Sequence, residues 1–243
     1  SALRALCLLA FCSQLNAGIV VEHDAGTLRM DKPPERIVVL NWWLAEHLLA
    51  LGVTPVAVAD REGYDEWVGE PALPESVKSV GNRQSPNLAA IRSLEPDLIL
   101  TSGHLSAAVP AFQKIAPTLV QTTYEADSNP WDKAREHLIT LGKVLGREDR
   151  ARALIQQAEA DLARTRQRLD EAGLLGQPVF LVRFLDDRRV RIHGNNSMLN
   201  QALQLAGMEN AWSKTTNLWG FTPGTVADLG DTPNAWLVYI RPW

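Results

Sequence analysis

Residues 148–171 (EDRARALIQQAEADLARTRQRLDE) constrain this chain more than any other stretch. Ala151, Leu154, Ile155, Ala158, Leu162 and Leu169 recur at helical spacing, and charged residues fill the remaining positions. No Gly or Pro interrupts the run. Glu148 and Asp149, after Gly146, mark its start, and Gly173, Gly176 and Pro178 mark its end. At 1.5 Å per residue such a helix is about 36 Å long, roughly the width of a small domain. The residues on either side read as separate α/β units, so the helix is expected to be a spine joining two lobes with a binding cleft between them. An ordinary long helix within one domain fits the same spacing.

Two lobes follow from the order of apolar runs. Arg36–Leu40 (RIVVL) is a continuous apolar strand, Trp42–Leu51 an apolar helix stopped by Gly52, and Pro55–Ala59 a second buried strand. Strand, helix, strand is the order of a parallel sheet with helical crossovers. Residues 60–87 read as one long irregular loop, and loops of that length in a compact domain tend to be functional. A short helix at Asn87–Leu94, strands at Pro96–Leu100 and Thr118–Gln121, and helices at Ala107–Ile115 and Trp131–Leu145 complete the first half. The second half begins with a strand at Pro178–Phe184, a turn at Asp186–Arg188 and a strand at Arg189–Ile192. A helix at Ser197–Ala206, a Trp-containing loop at Asn210–Thr222 and a strand at Trp236–Ile240 follow. The expected division is 18–130 for the first α/β lobe, 131–173 for the connecting helices and 174–243 for the second lobe. A lobe that ends on an uncovered apolar strand is expected to be truncated.

Ser1–Ala17 reads as a partial secretory signal peptide, with Arg4, an apolar run from Ala5 to Phe11, and Ala17 before Gly18. Both cysteines, Cys7 and Cys12, fall inside it, and bulky Phe11 before Cys12 argues against lipid attachment. The mature chain would then lack cysteine, which rules out disulfides and thiolate metal ligands there. Export to the periplasm is the expected localisation. A net charge of −4 and the absence of any basic run argue against nucleic-acid binding.

No Walker A, G-x-G-x-x-G, G-x-S-x-G or H-E-x-x-H motif is present, and the five histidines lack ligand spacing, so nothing points to an enzyme or a resident metal. Eight tryptophans against three tyrosines are the compositional anomaly. Trp67 and Trp219 each sit in a Gly/Pro-containing loop, one per half, where facing indoles would form an apolar wall. Of the Trp42–Trp43 pair, one member belongs to the core, and Trp43 is taken as the candidate for the site. Arg83, just before a helix start, offers a planar fork of donors suited to paired ligand oxygens. In an open α/β sheet ligands collect beyond the carboxyl ends of the strands, at 41–43, 60–83 and 102–104 here.

The segments RIVVLNWWLAEHLLALGVTPVAVAD, YDEWVGEPALPESVKSVGNRQSPNLAAIRSLEPDLIL, KIAPTL, HGNNSMLNQALQLAGMENAW and TNLWGFTPGTVADL together resemble the ferric hydroxamate siderophore-binding proteins of ABC-type iron importers. The W-V-x-E-P-x-L-P-x-S-V…V-G-x-R-x-x-P-N stretch is the specific one. The resemblance implies class III periplasmic binding protein architecture, two Rossmann-like lobes with mainly parallel sheets joined by a backbone helix. It implies that Arg83 donates to hydroxamate oxygens and that Trp67 and Trp219 pack on the ligand. Three hydroxamates fill all six positions of Fe(III), so no metal ligand or cofactor is required of the protein. The implied partner is the membrane permease of an ABC importer, and the implied state a monomer. Where the family supplies a Tyr after the PDLIL strand, this chain has His104 and Leu105, and His104 is the candidate replacement donor. Haem, cobalamin or a catecholate siderophore is the alternative ligand, and a secreted hydrolase using Ser102, Ser106 and His104 a remoter one.

Overall fold

Strand β3 (Ile37–Val39) is buried on both faces, which only a sheet covered by helices on each side provides. Successive side chains alternate between faces. Ile37 and Val39 enter a core with Leu44, Leu48, Leu138 and Leu141, whereas Val38 and Leu40 enter a second core with Ile91, Ile99 and Phe112. A computed structural model describes residues 18–126, 128–232 and 234–240. The expected signal peptide lies outside the described residues.

In the first lobe a short antiparallel ribbon of β1 (Ile19–His23) and β2 (Gly26–Met30) precedes β3. Then come α1 (Trp42–Ala50), β4 (Ala57–Val58), α2 (Arg61–Trp67), β5 (Lys78–Ser79), α3 (Leu88–Ser93) and β6 (Leu98–Thr101). A 3-10 turn at Gly103–Ala108, α4 (Val109–Phe112) and β7 (Thr118–Val120) complete it. All four pairings are parallel, in the order β5-β4-β3-β6-β7. The chain moves outward from β3 to β5, then returns to the other side of β3 with β6. The switch point therefore lies between β3 and β6, and its carboxyl end is where doubly wound sheets bind ligands.

Helix α2 falls inside the stretch that reads as a loop. Only one of its seven residues, Tyr64, is buried, so it carries no apolar period. It is held by tertiary contacts, including Tyr64 Oη donating to the Pro71 carbonyl at 2.6 Å.

Helix α5 (Pro130–Val144) leads into α6 (Glu148–Glu171), which has the 24-residue span that its spacing predicts. Ala151 is buried, and Leu154 and Ile155 pack on the first-lobe core. Near its other end, Arg166 lies beside Gly207 in the second lobe. There β8 (Pro178–Phe184) and β9 (Arg189–His193) form an antiparallel pair across the Asp186–Arg188 turn. Helix α7 (Met198–Leu205), β10 (Glu209–Asn210), β11 (Phe221–Thr225), a 3-10 turn (Val226–Asp231) and β12 (Trp236–Tyr239) follow. β10 and β12 pair parallel with β8, and β11 antiparallel with β9, so this sheet is mixed. The four residues of β12 are all exposed. No described helix is long and apolar enough to cross a membrane.

The core also holds titratable groups. Trp43 stacks on His137 with ring centroids 5.4 Å apart and meets His47 edge-on at 5.2 Å. Burial lowers both imidazoles to about 4 and raises the Glu46 carboxyl to about 7. Burial likewise lowers His193 of the second lobe to about 4, so between pH 4.5 and 6.5 the unfolded chain binds three histidine protons that the folded chain refuses, while the folded chain keeps one proton on Glu46 that the unfolded chain releases. Three outweigh one, so stability falls as pH falls through this window. The net effect of about 4 kcal/mol corresponds to roughly 8–16 °C in melting temperature for a chain of this size. Thermal melts at pH 7 and pH 4.5 should show that drop, and His137→Gln should cut it to about half; a melting temperature that ignores pH would contradict the assignment.

Candidate ligand-binding site

At the switch point Asn41 follows β3 and Ser102 follows β6, and Asn41 Nδ2 donates to Ser102 Oγ at 2.9 Å. Ser102 Oγ lies 2.7 Å from His104 Nδ1, and His104 Nε2 lies 3.3 Å from the Arg83 carbonyl oxygen. Neutral His104 protonated on Nε2 satisfies this chain, with the serine hydroxyl donating to Nδ1. Partial burial lowers the His104 pKa, and the Arg83 charge adds to the effect. His104 thus holds the main chain of the Arg83 loop. Ser102, buried with its oxygen engaged on both sides, is a structural hydroxyl in this arrangement.

The Arg83 loop leaves the carboxyl end of β5. Gly81 takes a positive φ of 86°, which a side chain would resist, and bridges to Pro86 across the loop. Asn87 closes the base, donating its backbone N–H to Val80 and accepting from Ala89 and Ala90 to cap α3. Arg83 is thereby presented at the loop tip. Its guanidinium carbon lies 3.4 Å from the Trp42 ring centroid, and its Nε sits 3.4 Å from Asp60 Oδ2, an ion pair without a hydrogen bond. Trp42 Nε1 donates to the Asp60 carbonyl at 3.0 Å. Asp60 has φ 56°, a left-handed conformation that Asp tolerates better than most residues. Its N–H and C=O are both bonded there, to Gly81 and Tyr64.

The second lobe supplies the opposite wall. Arg183 of β8 and Arg191 of β9 are directly paired in the strand register, and Arg183 reaches the Trp67 ring face at 4.5 Å. Trp42, Trp67 and Arg83 with Arg183, Leu185 and Arg191 enclose a cavity of about 250 Å³. His193, on the same strand as Arg191, is lowered to about 4 by burial and by the charges of Arg191 and Arg183.

Of the residues singled out from sequence, Trp67 and Arg83 come together in this cavity. Trp43 does not. It stacks on His137 and lines a separate, largely apolar cavity of about 570 Å³ between α1, α5 and α6. The choice within the Trp pair is reversed, because Asn41 ends the strand and the helical phase of α1 carries Trp42 to the sheet end and Trp43 toward α5. Trp219 stands 59% exposed outside the cavity lining. Asn217 Oδ1 accepts from the Trp219 and Phe221 N–H groups, and a Cβ on Gly220 would fall 2.5 Å from Ser197 Cα, so its turn is tightly held. Facing Trp67 across the cavity is Arg183 rather than a second indole. Another cavity, of about 720 Å³, lies among β1, α5 and α6 and is lined mostly by charged and polar side chains. It gathers nothing from the second lobe. Among the described residues no group of three His, Cys, Asp or Glu could hold a metal ion.

Sequence reading missed Trp42, Asp60, Gly63, Arg183 and Arg191. The Arg pair had a signal: counted outward from the Asp186–Arg188 turn, positions 183 and 191 fall opposite each other. Gly63 had none, because its role is space. A Cβ there would fall 2.5 Å from Trp42 Cζ2 and 2.7 Å from an Asp60 carboxylate oxygen. Gly63→Ala should therefore displace the two side chains that hold Arg83, costing about 1–3 kcal/mol of stability as overpacking does. Chemical denaturation checks the cost, and near-ultraviolet circular dichroism of the tryptophans reads the displacement; an unaltered spectrum would show that Trp42 does not depend on that gap.

Residues 37–224 match the sequence family described as periplasmic binding protein. Over 196 residues the chain is 33% identical to the iron(3+)-hydroxamate-binding protein FhuD of Escherichia coli, covering 81% of this chain and 65% of that one. It is 30% identical over 168 residues to the Fe(3+) dicitrate-binding periplasmic protein FecB of the same organism, covering 64% and 55%. The chain thus spans less than two thirds of the length of these curated relatives. Among solved structures, the Fe3+–Desferal-bound siderophore-binding protein FhuD of Vibrio cholerae superimposes with a TM-score of 0.81 at 28% identity, over 86% of this chain and 79% of that one. With the matched region running from β3 into β11, the chain belongs to the periplasmic binding protein family.

Proposed function

We propose that this chain captures a ferric hydroxamate siderophore between its lobes, outside the cytoplasm, and passes it as a monomer to the permease of an ABC importer. The observation that carries the reading is the meeting of Arg83 and Trp67 in an inter-lobe cavity at the carboxyl end of the first sheet. A hexadentate chelate already saturates its iron, so the protein needs only donors for the coordinating oxygens and apolar faces for the linkers. Arg83 supplies donors, and Trp42 and Trp67 supply faces. Trp219, exposed on a fixed turn of the second lobe, is a further packing surface for a ligand larger than the cavity. The names of the FhuD relatives from E. coli and V. cholerae support this ligand class. A single long α6 between the lobes favours modest lobe movements over wide hinge closure.

Haem is disfavoured as the ligand because both His104 ring nitrogens are engaged within the protein. Hydrolysis is disfavoured because Ser102 is buried.

Intrinsic tryptophan fluorescence titrated with Fe(III)–desferrioxamine B, the iron-free chelator, haem and cobalamin tests the reading. Saturable quenching by the ferric hydroxamate at micromolar or lower concentration is expected, with far weaker responses to the others. Arg83→Ala should weaken binding by about 1.5–3 kcal/mol, the scale of a charged hydrogen bond. Quenching by haem or cobalamin alone would reassign the ligand, and an unchanged Arg83→Ala affinity would remove Arg83 from the site.

A further inference from the structure

The inter-lobe cavity is lined by three cations and no anion: Arg83 from the first lobe, Arg183 and Arg191 from the second. The chain as a whole carries −4, so this concentration is local. Arg183 and Arg191 stand directly opposite each other in the β8–β9 register, where like charges destabilise a strand pair. Both are half-buried. Among the described residues neither side chain has a hydrogen bond or ion pair to another residue. The nearby turn carboxylate, Asp186, is committed to Arg189 and to two backbone N–H groups.

All three guanidinium groups are carried on aromatic rings: Arg83 on Trp42, Arg183 on Trp67 at 4.5 Å and Arg191 on Phe221 at 4.9 Å. Stacking uses the face of a guanidinium and leaves its in-plane N–H donors available. A tris-hydroxamate complex of Fe(III) is neutral at its core, since three monoanionic ligands balance the metal. One arginine is enough to meet its coordinating oxygens. Two more half-buried guanidiniums beside a neutral core would stay uncompensated. A carboxylate carried by the chelate would take their donors in paired, charge-assisted hydrogen bonds.

Resting on the siderophore reading above, we infer that the cleft selects iron chelates with net negative charge, such as a ferric hydroxamate bearing a free carboxylate, and that Arg183 and Arg191 read that charge. Desferrioxamine B provides a matched series on one iron core: its free amine makes the ferric complex cationic, N-acetylation makes it neutral, and N-succinylation makes it anionic. Titrating the full chain at low ionic strength should rank succinyl above acetyl above amine. At least about tenfold should separate the extremes, narrowing as salt is added. In the Arg183→Gln/Arg191→Gln double variant the succinyl-to-amine ratio should collapse toward one. Its melting temperature should change little, since the like-charge repulsion and the two aromatic stacks that offset it are removed together.

Equal affinities across the series, or an unchanged ratio in the double variant, would overturn the charge selection and leave the siderophore reading standing. Binding of Fe(III)–dicitrate but none of the hydroxamates, lost in the double variant, would uphold the charge selection and overturn the hydroxamate reading. No binding of any of the four would overturn both.

Discussion

Burial of β3 and β6 on both faces is the constraint from which the rest follows. A strand with no solvent-facing side leaves polar chemistry only at its ends, and parallel pairing gathers all carboxyl ends at one edge of the sheet. Asn41, Asp60, Arg83 and Ser102 all lie just beyond the strands of that edge, although 61 positions separate the first from the last along the chain. The doubly wound order sends the chain in opposite directions from the paired strands β3 and β6, and the Asn41–Ser102–His104 hydrogen bonds lie in the crevice beyond their carboxyl ends. The site is a by-product of how the core is covered.

Arginine held on aromatic faces is the recurring device. A cation–π contact is worth about 0.5–1 kcal/mol when exposed and about 2 when desolvated. Like charges facing across a strand pair cost a fraction of 1 kcal/mol to about 1. The stacks on Trp67 and Phe221 can therefore offset the repulsion between Arg183 and Arg191 without neutralising either charge. The Trp67–Arg183 contact also joins the lobes directly, so two residues that line this cavity are at the same time a contact between lobes.

Much of the fold was legible because periodicity is a local property. The α6 span and the strand–helix–strand order were readable, since each depends on residues close in sequence. Helix α2 was not, because Tyr64 alone of its residues faces inward and the rest of its support comes from carbonyls of the 71–77 segment, which accept from Tyr64 and Arg61. Of the residues that line the inter-lobe cavity, Trp67 and Arg83 were singled out from the W-V-x-E-P and V-G-x-R stretches. The choice between Trp42 and Trp43 was not, because both are adjacent apolar residues at a helix start. Only the position of His137 on α5 and of the Arg83 loop beyond β5 separates them.

By itself the sequence determined the two α/β halves, the long helix between them, the absence of cysteine after residue 12 and the loop that carries Arg83. Patterning and turn residues act over a few positions and need no partner. Tertiary structure alone decided that Trp42 underlies Arg83, that Gly63 must leave space for Trp42 and Asp60, and that Arg183 faces Trp67. Those are contacts between residues 41 and 116 positions apart or hard-sphere limits within a packed corner, and no local pattern encodes a distance of closest approach.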